Sequence, residues 1–414
     1  MSIQSPSRND LIDEFNAVID GDPRYDRHDL YERLRHDLPT FWSEKLDAWV
    51  FTRYDDVKEV LGSDERFGRP VGRPGSSVYG RSFLEMKGRE HNKKVGIVAK
   101  EIRAPRAIKE HLDGMIEKIV NERVEALTFG EPIDLREVYN MWIPLLAITE
   151  LVNVHEAGKF EKWYHAIAAG GVASIANPAA RDAAFVARDE VREFLAPIIA
   201  ERKENPGDDL ISQLLKAEYD GEPLPDDEVA AAVIFLLTAG VETTERVLTS
   251  TMRYLALNPE AWEEAVSRRD DPIALSALSA EALRMFPPVN GLVRSAHGDQ
   301  EVGGTVVKHD VRVVPLLVSG NRDESMFSDP HRFDPNRFSD NPTRQFGSAG
   351  EILPFGAGPH HCTGSRLAEV EMVHAFEKLF KRVKRLIPDG ELPPSHGFIL
   401  HSPPSLPVIL EPRN

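Results

Sequence analysis

Apolar residues recur with helical spacing along most of the chain. The period is clearest over residues 106–127, 186–203 and 228–257. The last segment would be on the order of 45 Å long at about 1.5 Å per residue, and Asn258-Pro259 closes it. We therefore predict a mainly α-helical protein in which one long helix crosses the domain.

Alternation of apolar and polar residues is confined to short stretches. It covers residues 48–52, 304–308 and 311–314, and such alternation is typical of half-buried strands. We therefore predict small accessory β-sheets beside the helices. Since neither a linker nor an internal repeat is found, we predict a single domain over residues 1–414, with about the first ten residues flexible.

The composition narrows the possible partners. Asp and Glu total 67 against 50 for Lys and Arg, which gives a net charge of −17 and disfavours binding to nucleic acid or anionic lipid. The N-terminal residues are polar, and the apolar run at 229–241 is shorter than the roughly 18 residues that cross a bilayer. We expect a cytoplasmic, monomeric protein without a membrane segment.

The chain contains one cysteine, Cys362, so all-cysteine metal sites and intramolecular disulfides are excluded. It lies in a glycine-rich segment, and an amphipathic helix is predicted directly after it. A helix N-terminus favours the thiolate, which is the form that binds metals. Gly356 and Gly358 would let the backbone turn tightly beside a flat cofactor. The alternative is a structural cysteine that packs as a small apolar side chain.

The spacing Phe-x-x-Gly-x-x-x-Cys-x-Gly is met by Phe355, Gly358, Cys362 and Gly364. This segment resembles the haem-binding loop of the cytochrome P-450 superfamily, in its soluble bacterial class. The resemblance extends over nearly the whole chain. It implies that the Cys362 thiolate is the axial ligand of haem b (iron protoporphyrin IX), and it makes a haem-free protein a poor alternative.

A second match involves charged residues. Glu281 and Arg284 stand three apart on a predicted helix, a spacing that is common for solvated surface pairs. In the resembling family this pair and a later arginine, here Arg337, form a buried network that braces the fold. The resemblance therefore implies a structural role for these three residues.

The long helix contains Ala239-Gly240-Val-Glu242-Thr243 at its centre. We predict that the Thr243 hydroxyl bonds the carbonyl of Ala239, and that Gly240 leaves room for a diatomic ligand. The resemblance implies that Thr243 holds dioxygen and a water, while Glu242 relays protons. The alternative is a helix-packing glycine beside ordinary threonines.

Haem propionates need cationic or hydrogen-bonding partners. The resemblance assigns this role to His91, Arg294 and His360. The family usually has an arginine four residues after the histidine, whereas this chain has Val95. Lys93 or Lys94 could reach a propionate instead, or His91 could be an ordinary polar residue.

Where the family lines its substrate pocket, this chain is largely apolar. The resemblance assigns substrate contacts to Phe83, Leu84, Val289, Leu292, Val293 and Phe398. A small hydrophobic organic substrate is the expectation for such a lining. Arg69, Arg73 and Arg81 could hold a substrate carboxylate or be solvated.

The chain carries no flavin, nicotinamide or iron–sulfur motif, so electrons derived from NAD(P)H must arrive from outside. A ferredoxin and a ferredoxin reductase are the expected partners. Basic residues could dock an acidic ferredoxin, or be an ordinary charged surface. They are Lys93, Lys94, Lys100, Arg103, Arg106, Lys109, Arg366, Lys378, Lys381 and Arg382.

We therefore predict a haem-thiolate monooxygenase that uses O2 to hydroxylate or oxidatively dealkylate its substrate. One alternative is an enzyme that uses peroxide directly or couples radicals. Another is a haem sensor or binding module without turnover. Glu242 and Thr243 disfavour both alternatives, because neither needs a proton relay.

Overall fold

A computed structural model describes residues 7–70, 77–172 and 178–413, with the side chain of Val172 left out. The predicted mainly α fold with small sheets is confirmed. In chain order the α-helices are α1 (Arg8–Ile19), α2 (Arg27–Asp37), α3 (Tyr54–Gly62), α4 (Gly88–Ile102), α5 (Pro105–Ala107), α6 (Asp113–Glu125), α7 (Trp142–Leu151), α8 (Ala157–Val172), α9 (Pro178–Glu204), α10 (Leu210–Leu215), α11 (Asp226–Leu257), α12 (Pro259–Ser267), α13 (Pro272–Met285), α14 (Leu317–Gly320) and α15 (Ser365–Arg382).

The strands are short. They are β1 (Thr40–Ser43), β2 (Ala48–Phe51), β3 (Phe67–Gly68), β4 (Pro132–Asp134), β5 (Glu218–Tyr219), β6 (Glu222–Pro223), β7 (Arg294–Ala296), β8 (Gln300–Val302), β9 (Thr305–Val307), β10 (Arg312–Pro315), β11 (Val383–Pro388) and β12 (Pro407–Pro412). Single turns of π-helix (Ile108–Leu112, Arg136–Asn140) and of 3-10 helix (Pro342–Phe346, Gly358–His360) complete the regular structure of the described residues.

The described residues divide into two compact units. The first comprises the described parts of Met1–Pro70, Ser276–Cys362 and Pro393–Pro404. It contains a five-stranded sheet in the order β1-β2-β10-β7-β3, in which only β2 and β10 are parallel. Apolar side chains of α1 and α2, such as Phe15 and Leu34, form a core with Phe41, Val50 and Val314 of this sheet.

The described part of the first unit begins with a capped helix. The Ser7 side chain accepts a hydrogen bond from Asp10 N, and the Asp10 side chain accepts one from Ser7 N. This reciprocal cap satisfies backbone donors at the start of α1. Residues 8–10 are therefore helical in the structure, residues 1–6 lie outside the described part, and the flexibility of about the first ten residues stays a prediction.

The second unit comprises the described parts of Val71–Leu275, Thr363–Leu392 and Ser405–Asn414. Its longest helix, α11, begins two residues before the predicted segment and ends at Leu257, as predicted. Asp226, Asp227 and Glu228 occupy its first turn, where negative charge is stabilised by the helix dipole. Helix α11 packs against α7 and α9, α15 packs against α6, and β11-β12-β4 form a small antiparallel sheet.

Helical segments predicted as single elements are longer or more divided in the structure. The segment 106–127 consists of α5, a π turn and α6, and 186–203 lies inside α9, which contains Pro197. Throughout the described ranges, every helix is too short or too polar to cross a bilayer.

Candidate active site

The cysteine loop of the first unit is shaped by two glycines. Gly356 has φ +70° and Gly358 has φ +65°, the left-handed region that glycine adopts without strain. A Cβ atom at Gly358 would collide with the carbonyl oxygen of Gly62, so this position also needs the smallest residue. Cys362 N donates to Phe355 O at 2.8 Å and closes the loop.

The Cys362 side chain is exposed, while the residues that support the loop are buried. The Phe355 ring lies 5.7 Å from Phe346 and 6.0 Å from His361, measured between ring centroids. Along the chain, Gly364 caps α15, and Ala368 N donates to Gly364 O at 2.9 Å. A fixed loop thus presents an accessible thiol just before a helix N-terminus, where the thiolate is favoured.

Arg294 lies in the same unit and is 4% exposed. Its Nη1 donates to the carbonyl of Val293 at 3.0 Å, and no carboxylate of the described residues forms a salt bridge with it. Burial, with a smaller contribution from the charge of the neighbouring Arg69, lowers the pKa of Arg294 to about 10, while Asp64 acts in the opposite direction. A buried cation beside a second cation is stabilised by an anion, so this cluster fits a haem propionate.

His360 belongs to the same cluster, but it faces a carboxylate. Its Nε2 lies 3.0 Å from Asp64 Oδ1. The proximity of Asp64 and Arg69 to this cluster was not predicted, because their segment is far from Arg294 and His360 along the chain. Together the loop thiol and the cationic cluster have the donor chemistry that haem requires: a thiolate for iron and guanidinium groups for propionates.

In the second unit, the middle of α11 has the hydrogen bond predicted from the sequence. Thr243 Oγ1 donates to Ala239 O at 2.9 Å. Close packing explains why residue 240 is a glycine, because a Cβ atom at this position would lie 2.9 Å from the Ile148 side chain. Its assignment to a ligand site stays a prediction.

Glu242 is 6% exposed and forms an ion pair with Arg246 one turn later, at 2.8 Å. Burial raises the pKa of Glu242, and Arg246 partly offsets this effect. This role of Arg246 was not predicted, although a spacing of four residues from Glu242 is typical of an ion pair on a helix. The carboxyl group is thus held in one place with an increased tendency to carry a proton.

A second buried network lies next to this acid. Arg136 Nε donates to Glu245 Oε1 at 2.8 Å, and Tyr164 OH donates to Glu245 Oε2 at 2.9 Å. Burial raises the pKa of Tyr164 well above its ordinary value, and the Glu245 and Glu242 charges raise it further. Nothing in the sequence signals this network, because its members are up to 109 residues apart.

Glu371 of α15 was also missed. It accepts a hydrogen bond from Thr244 Oγ1 at 2.9 Å, and burial raises its pKa to about 8. At neutral pH most of this carboxyl is therefore protonated. The buried carboxyl of Glu371 thus fixes the side chain of Thr244, the residue after the predicted catalytic Thr243.

The structure brings Glu281, Arg284 and Arg337 together in the first unit. Arg284 donates from Nε and Nη2 to the two Glu281 oxygens at 2.7 and 2.8 Å, and Arg337 Nε lies 3.2 Å from Glu281 Oε2. Glu281 and Arg284 are fully buried. This geometry differs from that of a solvated surface pair.

His91 is buried on α4, and its Nδ1 lies 3.2 Å from Asn92 Oδ1. The suggestion that Lys94 replaces the missing arginine is not supported. Lys94 Nζ is held by Glu90 at 2.7 Å and by Glu228 at 2.6 Å. Arg81 binds the same two carboxylates, so its charge is also committed within the protein, and Arg73 lies outside the described residues.

The six predicted substrate contacts have different surroundings. Phe83 is buried against Phe235, with ring centroids 6.4 Å apart, and Leu84 beside it is half-buried. Phe398 lies against Phe15, with centroids 5.7 Å apart, so its ring has a partner in the core of the first unit.

The remaining three contacts lie in one segment of the first unit. Val289 pairs with Leu400 in an isolated bridge, Leu292 is half-buried and Val293 is exposed. The pocket-lining roles of all six residues stay predictions.

Comparison with known proteins agrees with the thiol loop and the fold. The family model described as cytochrome P450 matches residues 112–267 and 272–409. Erythromycin C-12 hydroxylase of Saccharopolyspora erythraea is 32% identical, covering 84% of this chain and 85% of its own length. Linalool 8-monooxygenase of Pseudomonas putida is 28% identical, covering 93% and 96%.

Among solved structures, substrate-free CYP109E1 from Bacillus megaterium superposes with a TM-score of 0.82 at 27% identity, covering 94% of this chain and all (100%) of that chain. The fold and the thiol loop define a haem-thiolate oxidoreductase. The chain belongs to the cytochrome P450 family, whose members use haem, O2 and electrons from a redox partner.

Proposed function

We propose that this protein is a monooxygenase that takes electrons from a ferredoxin system and hydroxylates or oxidatively dealkylates a small hydrophobic organic substrate. The observation that carries the proposal is the exposed Cys362 thiol in a glycine-shaped loop, in one unit with the cationic cluster at Arg294. Haem b, when bound, supplies the oxygen-activating redox chemistry. Cys362 would hold its iron, and Arg294, Arg69 and His360 its propionates.

Proton supply is assigned to α11. The Thr243 hydroxyl donates a hydrogen bond to the Ala239 carbonyl, and a small rotation of the side chain would let this hydroxyl donate to another acceptor. Glu242 is held by Arg246, and its raised pKa increases the protonated fraction near neutral pH. A general acid needs this combination of a fixed position and an available proton.

The substrate class follows from the apolar residue types and from the relatives. Erythromycin and linalool are the compounds in the two relatives' names, and both names specify oxidation at one carbon. We assign substrate contacts to the apolar residues Phe83, Leu84, Val289 and Leu292. The reaction belongs in the cytoplasm, where NAD(P)H is available to a reductase, and we propose a monomeric enzyme.

Turnover distinguishes the proposal from its alternatives. With ferredoxin, reductase, NADPH and a panel of hydrophobic compounds, we expect O2 consumption that depends on substrate and yields an oxygenated product. Glu242→Gln should lower the coupled rate by about 10²-fold or more, since a general acid contributes on that scale. Glu260→Gln, on the exposed start of α12, should leave it unchanged.

Hydrogen peroxide as the only oxidant tests the alternative route. Product with peroxide but none with the ferredoxin system would establish a peroxide-using enzyme. Haem binding without any product from a broad panel, in both systems, would favour a sensor or binding module.

The redox partner would dock on basic residues of the second unit. Several of these residues are neutralised: Arg106 by Glu110, Lys378 by Glu117, and Lys381 by Glu377. Lys100 lies on α4, Arg103 follows the last residue of α4, and Lys109 lies in the π turn after α5. None of the three forms a salt bridge within the described ranges. These three residues give an acidic ferredoxin a positive surface that is not already compensated.

Charge reversal tests this docking surface. Arg103→Glu with Lys109→Glu should raise the KM for ferredoxin at least tenfold at low salt and flatten its salt dependence, because complementary charge acts mainly on association. Lys308→Glu with Arg312→Glu, at two exposed residues of the first unit, changes the net charge equally and should have little effect. Steady-state rates at several ferredoxin concentrations provide the measurement, and an unchanged KM would place docking elsewhere.

A further inference from the structure

The first unit contains a second cluster of cationic side chains, separate from the one at Arg294. Arg27 and His28 begin α2, and Arg322 follows α14. Arg322 is 6% exposed, and its Nη2 donates to Met285 O at 2.9 Å. The charges of Arg322 and Arg27 act on His28, as do those of His401 and His331, so segments distant in sequence converge here.

Polar atoms of this cluster are buried without partners. Arg27 Nε and Nη2, Arg322 Nε, His28 Nδ1 and Tyr31 OH are shielded from solvent and have no hydrogen-bond partner among the described residues. The Arg27 guanidinium lies over the Tyr31 ring at 5.5 Å. Buried donors of this kind destabilise a protein unless something accepts their hydrogen bonds.

The nearby carboxylates are engaged elsewhere. Asp26 accepts hydrogen bonds from the backbone of His28 and Asp29 at 2.7 and 3.1 Å, which caps α2. Glu32 lies 3.1 Å from His331 Nε2. Within the described part of the chain, Arg27 and Arg322 have no salt bridge, and Glu281 and Asp26 act on the charge of Arg322 only from a longer distance.

Burial and the neighbouring cations both disfavour the charged forms of this cluster. Burial is the largest of the effects that lower the pKa of Arg322 to about 9. The charges of Arg284 and Arg27 act in the same direction, and those of Glu281 and Asp26 oppose them. Burial likewise holds the pKa of His28 well below its ordinary value, with Arg322 and Arg27 acting in the same direction. Water molecules could accept the hydrogen bonds of these buried donors, but an anion would accept them and also balance the positive charge of the two arginines.

We propose that Arg27, His28 and Arg322 form a binding site for a dianionic oxyanion of the phosphate or sulfate class. Guanidinium groups donate paired hydrogen bonds to such oxyanions, and several convergent donors suit an ion with several acceptor oxygens. His331 is 41% exposed, which leaves the surroundings of the cluster partly open to solvent. The site is independent of haem chemistry and of the proposed oxygenation.

Binding should depend on pH through His28. Without an anion, Arg27, Arg322, His331 and His401 disfavour the imidazolium. A bound dianion would favour it, so binding takes up a proton and tightens as pH falls toward the pKa of the complex. Sulfate is the probe, because its own charge does not change between about pH 6 and pH 8.

Isothermal titration of the purified holoenzyme with sulfate, at constant ionic strength in chloride, tests the proposal. We expect saturable 1:1 binding that is tighter at pH 6 than at pH 8 and is displaced by inorganic phosphate. Arg27→Gln should weaken sulfate binding about tenfold, because it removes one charged hydrogen-bonding partner. Arg24→Gln, an exposed arginine paired with Asp22, should bind as the wild type does.

His28→Asn provides a second variant, which should keep binding but lose its pH dependence. Haem content and circular dichroism establish that each variant is folded. The proposal is overturned if the wild type shows only a general salt effect, or if Arg27→Gln binds sulfate as tightly as Arg24→Gln. Neither result would bear on the oxygenation reaction, which is measured separately.

Discussion

Replacement of Cys362 by alanine is expected to abolish the spectrum of thiolate-ligated haem completely. The chain has one cysteine, so no other residue can supply a thiolate to iron. The reduced protein under carbon monoxide should show the shifted Soret band characteristic of the family, and Cys362→Ala should lack it. Its turnover with the ferredoxin system should fall to background.

A matched variant separates loss of the ligand from damage to the loop. Thr363→Ala changes the next side chain and leaves the thiol and the Cys362 N to Phe355 O bond in place. It should keep the shifted band. A band typical of histidine-ligated haem in the wild type, or a thiolate band in Cys362→Ala, would contradict the assignment of Cys362 as the axial ligand.

Much of the fold could be predicted from local signals. Helix α11 was predicted to within two residues because its apolar period is long and Asn258-Pro259 ends it. The Thr243 bond to Ala239 was predicted because it spans one helical turn. The turn at Gly356 and Gly358 was predicted because glycine tolerates the left-handed backbone conformation that both adopt.

The parts that could not be predicted depend on contacts between distant segments. The sequence left open that Lys94 binds a propionate. In the structure its ammonium group is paired with Glu228, which is 134 residues away along the chain. Glu371 reaches Thr244 across 127 residues, and only the packing of α15 against α11 shows that contact. No regular spacing along a single sequence indicates such pairs. Glu242 and Thr243 of α11 could therefore be predicted as candidates, but the side chains that contact this part of α11 could not.

The second large effect is expected from replacing Glu281, and it concerns the stability of the folded protein rather than its haem spectrum. Glu281 is completely buried and receives hydrogen bonds from Arg284, Arg337 and the backbone of Asp334. Glu281→Ala would leave the buried guanidinium of Arg284 without a counter-charge. Breaking a buried pair in this way costs about 3–5 kcal/mol, a large part of the roughly 5–15 kcal/mol that stabilises a typical native protein.

We therefore expect Glu281→Ala to lose most of its soluble yield and haem content, and to unfold at a lower temperature. Glu281→Gln keeps one acceptor oxygen and the shape of the side chain, but it loses the charge and puts an NH2 donor opposite other donors, so it should fall between the alanine variant and the wild type. Glu110→Ala removes an exposed partner of Arg106 and should cost no more than about 1 kcal/mol. A soluble Glu281→Ala protein with full haem content and wild-type thermal stability would show that the arginines Arg284 and Arg337 are adequately held by the backbone carbonyls they also contact.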